Sequence, residues 1–420
     1  MDCRRHWVNT VLLLVLLCWS AAVPVWAAEK TLNFWHGNFT APVLAWLEAE
    51  IFPQFEKEYG VKINHMNIGW AANRTDKLIT SIVAGAGPDV LVIGGNYHVT
   101  EAVILQPLDK YVAQWPDAAR FPEPIWETKR YKGQLMGVPL GGGIRGMAYN
   151  SLHFAESGLP DKAPDSWEEW LTVVRKTTRV DNNTLTRAGF EWPWSEIEYN
   201  WLIMMNGSDI IHPETFASQM RDPRAMEALE FMRDLYQAAH PDNLPAYKWR
   251  EYANGKASMM YALPTTLKYV QDNNPDIAEV TRIYSPRRTP QHEPVTLAFI
   301  DGYGIPIGAQ DPDLSWKFIE FMSSNEIMLG MVANGLDYMP LRNDVIGSAA
   351  RFMAPYLPFY DLMPSSRQGI PGPFDSVVRS NILKFITPTL RGTMSPAQAV
   401  ENIDQVITTF INEFNQQQAK

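Results

Sequence analysis

Ile82–Asn96 reads IVAGAGPDVLVIGGN. Ile82, Val83 and Ala84 are the apolar end of a helix, and Gly85, Gly87 and Pro88 break it. Asp89 then opens Val90–Ile93, a β-branched run with no polar residue. Such a run predicts a strand buried on both faces, usually in a parallel sheet. Gly94 and Gly95 end the strand, and Asn96 and Tyr97 follow. Open α/β sheets bind ligands just beyond the carboxyl ends of their strands, so Gly94–Tyr97 is a candidate ligand loop.

Upstream, Thr31–Trp35 reads as a strand that runs into His36-Gly37-Asn38. Pro42 suits a first helical turn with Thr40 as its cap. Val43, Leu44, Leu47, Ile51 and Phe55 then mark one helical face, with a kink expected at Pro53 and a stop at Gly60. Val61–Ile68 alternates as a second strand, followed by Gly69 and Trp70. A helix through Leu78 and Ile79 leads back to Ile82. Strand–helix–strand–helix–strand predicts a parallel α/β architecture. It places Trp35–Asn38, Gly69–Trp70 and Gly94–Tyr97 on one edge.

Downstream, Tyr131–Gln134 predicts a hairpin turn into a strand at Leu135–Leu140. Gly141–Gly143 is expected to interrupt that strand, which resumes at Met147–Asn150. Ser166 and Glu169 have the spacing of a capping box. Met226–Tyr236 reads as a helix, and Gly255–Tyr261 as a turn into a strand. Asp272–Pro294 is polar and proline-rich and reads as surface or linker. Ala298–Ile307 reads as a strand pair around Asp301-Gly302, and Gly335–Arg342 as a loop. A helix begins at Ser315–Phe321, and Pro396–Phe414 is an amphipathic helix.

The chain has 420 residues, enough for two domains, and a net charge of −10. That sign argues against nucleic acid and anionic membranes as partners. Residues 1–28 read as a signal peptide: Arg4 and Arg5, the apolar run Val11–Cys18, then Val25-Trp26-Ala27. The run is short for a membrane span, and Leu17 is too bulky for lipid attachment at Cys18. The only cysteines are Cys3 and Cys18, so the mature chain would have no disulfide, thiolate nucleophile or thiolate-bound metal.

Gly141–Gly146 matches G-x-G-x-x-G, but a strand follows where a dinucleotide site needs a helix. A flexible crossover between domains explains these glycines better, and no cofactor is expected. No metal-binding histidine spacing and no G-x-S-x-G elbow occurs. Glu191, Glu196 and Glu198 stand among tryptophans, a pattern open to a glycosidase pair or to a sugar cleft without chemistry. Trp35, Trp70, Tyr97, Trp192, Trp194, Tyr199 and Tyr303 adjoin Gly, Asn or acidic residues. Aromatic faces pack on sugar C–H groups while Asn, Asp and Arg bond hydroxyls; each ring singly is as well explained by core packing.

Several segments resemble family 1 extracellular solute-binding proteins, the maltose-binding-like components of sugar ABC importers. The A-G-x-G-P-D turn before Val90 is one. Phe34-Trp35-His36, Phe55–Ile63 (FEKEYGVKI), Tyr131–Pro139 (YKGQLMGVP) and Tyr149-Asn150 follow in the family's order. So do Pro164–Glu169 (PDSWEE), Asn254–Met259 (NGKASM) and Trp316–Phe321 (WKFIEF). Tyr261–Thr265 departs from the Gly-plus-aromatic usual after Met259, and Gly143 stands where some relatives carry a polar ligand contact.

The resemblance implies a two-lobed α/β periplasmic-binding-protein fold, type II-like, with the ligand cleft between lobes. It implies discontinuous lobes, 29–142 with 287–338 and 143–286 with 339–420. It implies a periplasmic monomer that captures a mono- or oligosaccharide without chemistry and delivers it to ABC permease subunits. Expected ligand contacts are Trp35, His36, Asn38, Trp70, Asn96, Tyr97, Arg145, Trp194, Tyr199, Tyr261, Asp301, Tyr303 and Arg342. Arg74, Arg145 and Arg342 keep open an acidic solute such as glycerol phosphate or a uronate; a secreted glycosidase is a further alternative.

Overall fold

The computed structural model describes residues 30–37, 39–69, 74–95, 104–191, 194–213, 215–241, 250–336, 338–349, 356–369 and 375–418. The signal peptide read in 1–28 lies outside them. The first three strands are β1 (Thr31–His36), β2 (Lys62–Asn67) and β3 (Val90–Ile93). β1 pairs in parallel with both of the others. β3 is buried throughout, as its unbroken apolar run requires. Val90 and Val92 join a cluster around Phe34, Phe55 and Phe318, while Leu91 and Ile93 join Trp35, Leu78 and Met136.

The segment between β1 and β2 is helical, with a π-helical stretch at Leu47–Ile51 between Ala41–Trp46 and Phe52–Tyr59. Pro53 has no N–H to donate back along the helix, and the expected kink takes the form of this wider turn. Thr40 does not cap with its side chain; its hydroxyl donates to the Gly335 carbonyl at 3.3 Å. Gly60 ends the helix at φ 63°, a left-handed conformation that glycine adopts without cost.

β4 (Arg130–Tyr131) and β5 (Gln134–Leu135) form the expected hairpin, with Lys132 and Gly133 at φ 49° and 80°. β6 is Val138–Ile144 and β7 is Gly146–Asn150. The glycine run therefore lies inside β6, and the break falls at Arg145. Gly142 packs so closely on a neighbouring strand that an added Cβ would lie 2.2 Å from the Phe299 carbonyl oxygen. The run serves close backbone approach rather than interruption.

β8 (Arg179–Asp181) and β9 (Thr184–Arg187) make a small hairpin. β10 (Met259–Ala262) and β11 (Thr281–Tyr284) flank β7 in an antiparallel three-stranded sheet. Asp272–Pro294 is thus no linker: it contains helix Pro275–Glu279 and β11. Its alternation is short, and its partner β7 is remote in sequence. β12 (Thr296–Gly304) is one strand rather than a pair, with a register shift between Asp301 and Gly302. β13 (Met339–Pro340) lies in the predicted loop, and β14 is Ser366–Gln368. The large sheet runs β13-β6-β12-β3-β1-β2, with β14 also on β12.

A second hydrophobic cluster gathers helices Trp167–Thr177, Glu196–Met205, Pro223–Ala239, Asp375–Leu390 and Pro396–Gln418. Ser166 accepts the Glu169 N–H at 3.1 Å, but the Glu169 carboxylate accepts from Asp165 rather than Ser166. A full capping box forms instead at Ser195 and Glu198. Among the described residues no helix is long and apolar enough to cross a membrane.

Candidate ligand-binding site

The expected contacts Asn38, Trp70, Asn96 and Tyr97 lie outside the described residues, as does Trp192. Buried polar side chains hold the bases of two of these loops. Arg74, almost wholly buried, donates to the Gly69 carbonyl at 3.0 Å and to the Val92 carbonyl at 2.6 Å. It thereby ties the ends of β2 and β3 together. Asp301, at the irregularity in β12, accepts the Gly95 N–H at 2.7 Å and anchors the loop after β3. Arg74 and Asp301 thus hold two of the strand ends where ligand was expected.

Trp35 and His36 point to opposite faces of β1, and both faces are packed. Trp35 packs among Leu78, Leu91 and Ile93. His36 lies between Phe34 and Phe39, with its Nε2 3.3 Å from His65 Nδ1. Burial first, then His65 and Arg74, lowers its pKa to about 4, so the ring is neutral at pH 7. A strand covered on both faces keeps its own side chains in the interior, so both expected contacts are packed side chains in this structure.

Four further expected contacts are also packed in the interior. Trp194 packs edge-on against Phe190, Tyr236 and His240 at 5.8, 5.2 and 5.7 Å. Tyr199 is fully buried and donates to the Ala225 carbonyl at 2.8 Å. Every residue of its helix Glu196–Met205 is buried except Ile197, which is half-buried. Tyr303 is buried beside Phe34, 6.2 Å between ring centres. Arg342 bonds Asp117 at 3.0 Å, Asp344 at 2.8 Å and the Ser323 carbonyl at 2.7 Å.

The structure brings Arg145 and Tyr261 together at the junction of the two sheets. Arg145 is the single residue between β6 of the large sheet and β7 of the small one. Its guanidinium lies over the Phe299 ring of β12 at 3.7 Å and donates to the Tyr261 hydroxyl of β10. Tyr261 in turn meets Trp201 edge-on at 5.6 Å, and the Trp201 indole donates to the Val295 carbonyl at 2.6 Å. Glu198 also feels the Arg145 charge; burial raises its pKa, and Ser195 and Arg145 oppose the rise. Nothing in the local sequence marks Phe299 or Trp201 for this role; Phe299 gains it by pairing opposite Gly143, two residues before Arg145, where β12 runs antiparallel to β6.

Glu191 is buried with one oxygen accepting the Tyr252 N–H at 2.8 Å. Burial raises its pKa to about 8, Glu251 adding to the rise and the Tyr252 N–H opposing it. Glu198 is taken up by its own cap, accepting from the Ser195 N–H at 2.9 Å and from the Ser195 hydroxyl. Among the described residues no group of three His, Cys, Asp or Glu side chains could hold a metal ion.

The family of bacterial extracellular solute-binding proteins matches this chain over residues 40–328. The chain belongs to that family. A maltotriose-binding protein of Pyrococcus abyssi (strain GE5 / Orsay) is 21% identical to this solute-binding protein over 315 residues. The match takes in 71% of this chain and 65% of that relative's length. The sugar-binding protein MalE from the phytopathogen Xanthomonas citri has the same fold at a TM-score of 0.77 and 22% identity, covering 92% of this chain and 100% of its own. An ABC transporter solute-binding protein from Thermotoga lettingae, bound with alpha-D-tagatose, gives a TM-score of 0.69 at 22% identity, with 90% and 100% covered. The cyclic alpha-maltosyl-1,6-maltose binding protein from Arthrobacter globiformis gives 0.73 at 15%, with 91% and 99% covered. This solute-binding protein therefore has the two-lobed α/β fold.

Proposed function

We propose that this protein captures a mono- or oligosaccharide between its lobes and delivers it to the permease subunits of an ABC-type importer. The observation that carries the reading is Arg145, which touches both sheets from the chain segment that joins them. A ligand that bridges the lobes shifts the population toward a closed form in proportion to its extra contacts there. The lobes proposed are 29–142 with 287–338 and 143–286 with 339–420, although β13 pairs with β6 and draws Met339–Pro340 toward the first. The protein acts as a monomer in the periplasm after losing residues 1–28, and performs no chemistry on its ligand. The names of its relatives, which bind maltotriose, tagatose and a cyclic maltosyl sugar, support a carbohydrate. Asn38, Trp70, Asn96 and Tyr97 are proposed contacts, with Arg145, Tyr261 and Asp301 at the junction and loop base.

An acidic solute would need a cation to pair with it. Arg342 is balanced by Asp117 and Asp344, Arg74 is taken up by two carbonyls, and Arg145 shares its field with Glu198. These partners favour an uncharged sugar. A thermal-shift series over neutral saccharides, uronates and glycerol phosphate tests the choice. A ligand at 100 times its Kd adds about 2.7 kcal/mol, so the right sugar raises the melting temperature clearly. A rise with glycerol phosphate or a uronate alone overturns the reading, as does release of hydrolysis products from an oligosaccharide.

A further inference from the structure

Beneath the end of β1 a chain of three titratable side chains runs from the surface to the interior. Glu48, on the π-helical stretch, lies 3.1 Å from His65 Nε2. His65 Nδ1 lies 3.3 Å from Nε2 of His36, and the two rings stack at 5.5 Å with 27° between planes. His65 is a quarter exposed and Glu48 about half, whereas His36 is fully buried. The π-helical turn is an irregularity of the kind that often marks functional positions.

One boundary condition sets every proton in this chain. An ionised carboxylate only accepts, so His65 Nε2 carries the hydrogen that faces Glu48. In the neutral ring His65 Nδ1 is then an acceptor, and His36 must donate to it from Nε2. His36 Nδ1 is left as an acceptor, buried and without a hydrogen-bond partner among the described residues. When His65 gains a proton it gains it on Nδ1, the atom that faces the His36 Nε2–H. Two donors would then oppose each other at 3.3 Å. Relief comes when His36 moves its own hydrogen from Nε2 to Nδ1, becoming acceptor toward His65 and donor on its far side.

We propose that Glu48, His65 and His36 form a proton-binding site that switches the tautomer of His36 and thereby couples external pH to the loop after β1. His36 precedes Gly37 and Asn38 directly, so a donor replaces an acceptor at the root of that loop. That the loop belongs to the ligand cleft rests on the function proposed above; the tautomer switch itself does not. The other charged group facing His36 is Arg74; burial first, then His65 and Arg74, lowers the pKa of His36 and keeps the second proton off that ring. Around the pair the packing is aromatic, from Phe34, Phe39 and Phe52. Histidine is the side chain whose ordinary charge change falls between about pH 5 and 8, the range over which the switch is sought.

The test is long-range nitrogen–proton NMR of the imidazoles in the sugar-free mature protein from pH 8 to 5, with the Gly37 amide followed in the same samples. His36 is expected to be neutral with its hydrogen on Nε2 at pH 8, and neutral with its hydrogen on Nδ1 at pH 5. The Gly37 amide is expected to shift together with the change of tautomer in His36. His65→Gln, at a partly exposed position, should abolish both changes. A His36 that keeps its Nε2 hydrogen throughout overturns the proposal, and so does a Gly37 amide that ignores a switch in His36. Because no sugar is present, failure of the carbohydrate reading leaves these outcomes unaffected. If maltotriose, used as the probe, binds, its affinity should change between pH 8 and 5 by about fivefold or more in the native protein and stay flat in His65→Gln; a flat native profile would break the link to ligand.

Discussion

Trp194 illustrates how far a single side chain can depart from its local pattern. Next to Pro193 and Ser195 it reads as a loop aromatic ready for a sugar. Instead its backbone adopts φ 59°, and the ring turns into the cluster of Phe190, Tyr236 and His240. Trp194→Ala is therefore predicted to cost about 3–5 kcal/mol of stability while sugar affinity changes little. Urea melts and calorimetric titration of the same variant measure both; affinity lost with stability kept would return Trp194 to the cleft. Glu191 makes a second prediction. Its folded pKa, about 8, lies above its ordinary 4.5. Its contribution to stability is complete below about pH 4.5 and is lost as pH rises through about 8. Glu191→Gln keeps an acceptor for the Tyr252 N–H and removes this loss. The variant should match the native protein near pH 4.5 and exceed it by about 4–5 kcal/mol at pH 8.5. Equal melting curves at both pH values would show that Glu191 is ionised in the fold.

Strand β6 shows what spacing along one segment leaves undetermined. Gly141, Gly142 and Gly143 look alike in sequence, yet their surroundings differ. A Cβ on Gly142 would collide with backbone at 2.2 Å, whereas on Gly143 its nearest neighbour is Leu263 Cδ2 at 3.9 Å. Gly142→Ala is predicted to destabilise by about 3 kcal/mol or more, because the β12 backbone at Phe299 and Ile300 must shift. Gly143→Ala should stay within about 1 kcal/mol, and chemical denaturation separates the pair. Similar losses in both variants would mean that glycine is needed for flexibility rather than close approach. The same gap explains β11 and β13: each is short, and each exists only through a partner strand far away in the chain.

Across the whole molecule, Arg145 and β12 are where the two sheets and the two large clusters meet. β12 supplies Leu297 to the second cluster and Ala298, Ile300 and Tyr303 to the first. Movement of the lobes must therefore be absorbed at the ends of such crossing segments, with Ile144-Arg145-Gly146 the shortest of them. Small-angle scattering with and without a saturating sugar is predicted to give a smaller radius of gyration with sugar. An unchanged radius at proven saturation would mean that the lobes are fixed.

The sequence by itself determined the parallel β1–β2–β3 core, the stops at Gly60 and Gly85, the Tyr131–Gln134 hairpin and the family. These rest on local physics: an unbroken apolar run, positive φ at glycine, and a two-residue turn. The tertiary structure alone decided that β12 is one strand, that the break lies at Arg145, and that Trp35, Trp194, Tyr199, Tyr303 and Arg342 face inward. Whether an aromatic or an arginine is core or ligand contact depends on what covers it, and covering elements come from anywhere in the chain. Arg342 is paired by Asp117, 225 residues earlier, and no periodicity records a contact at that separation.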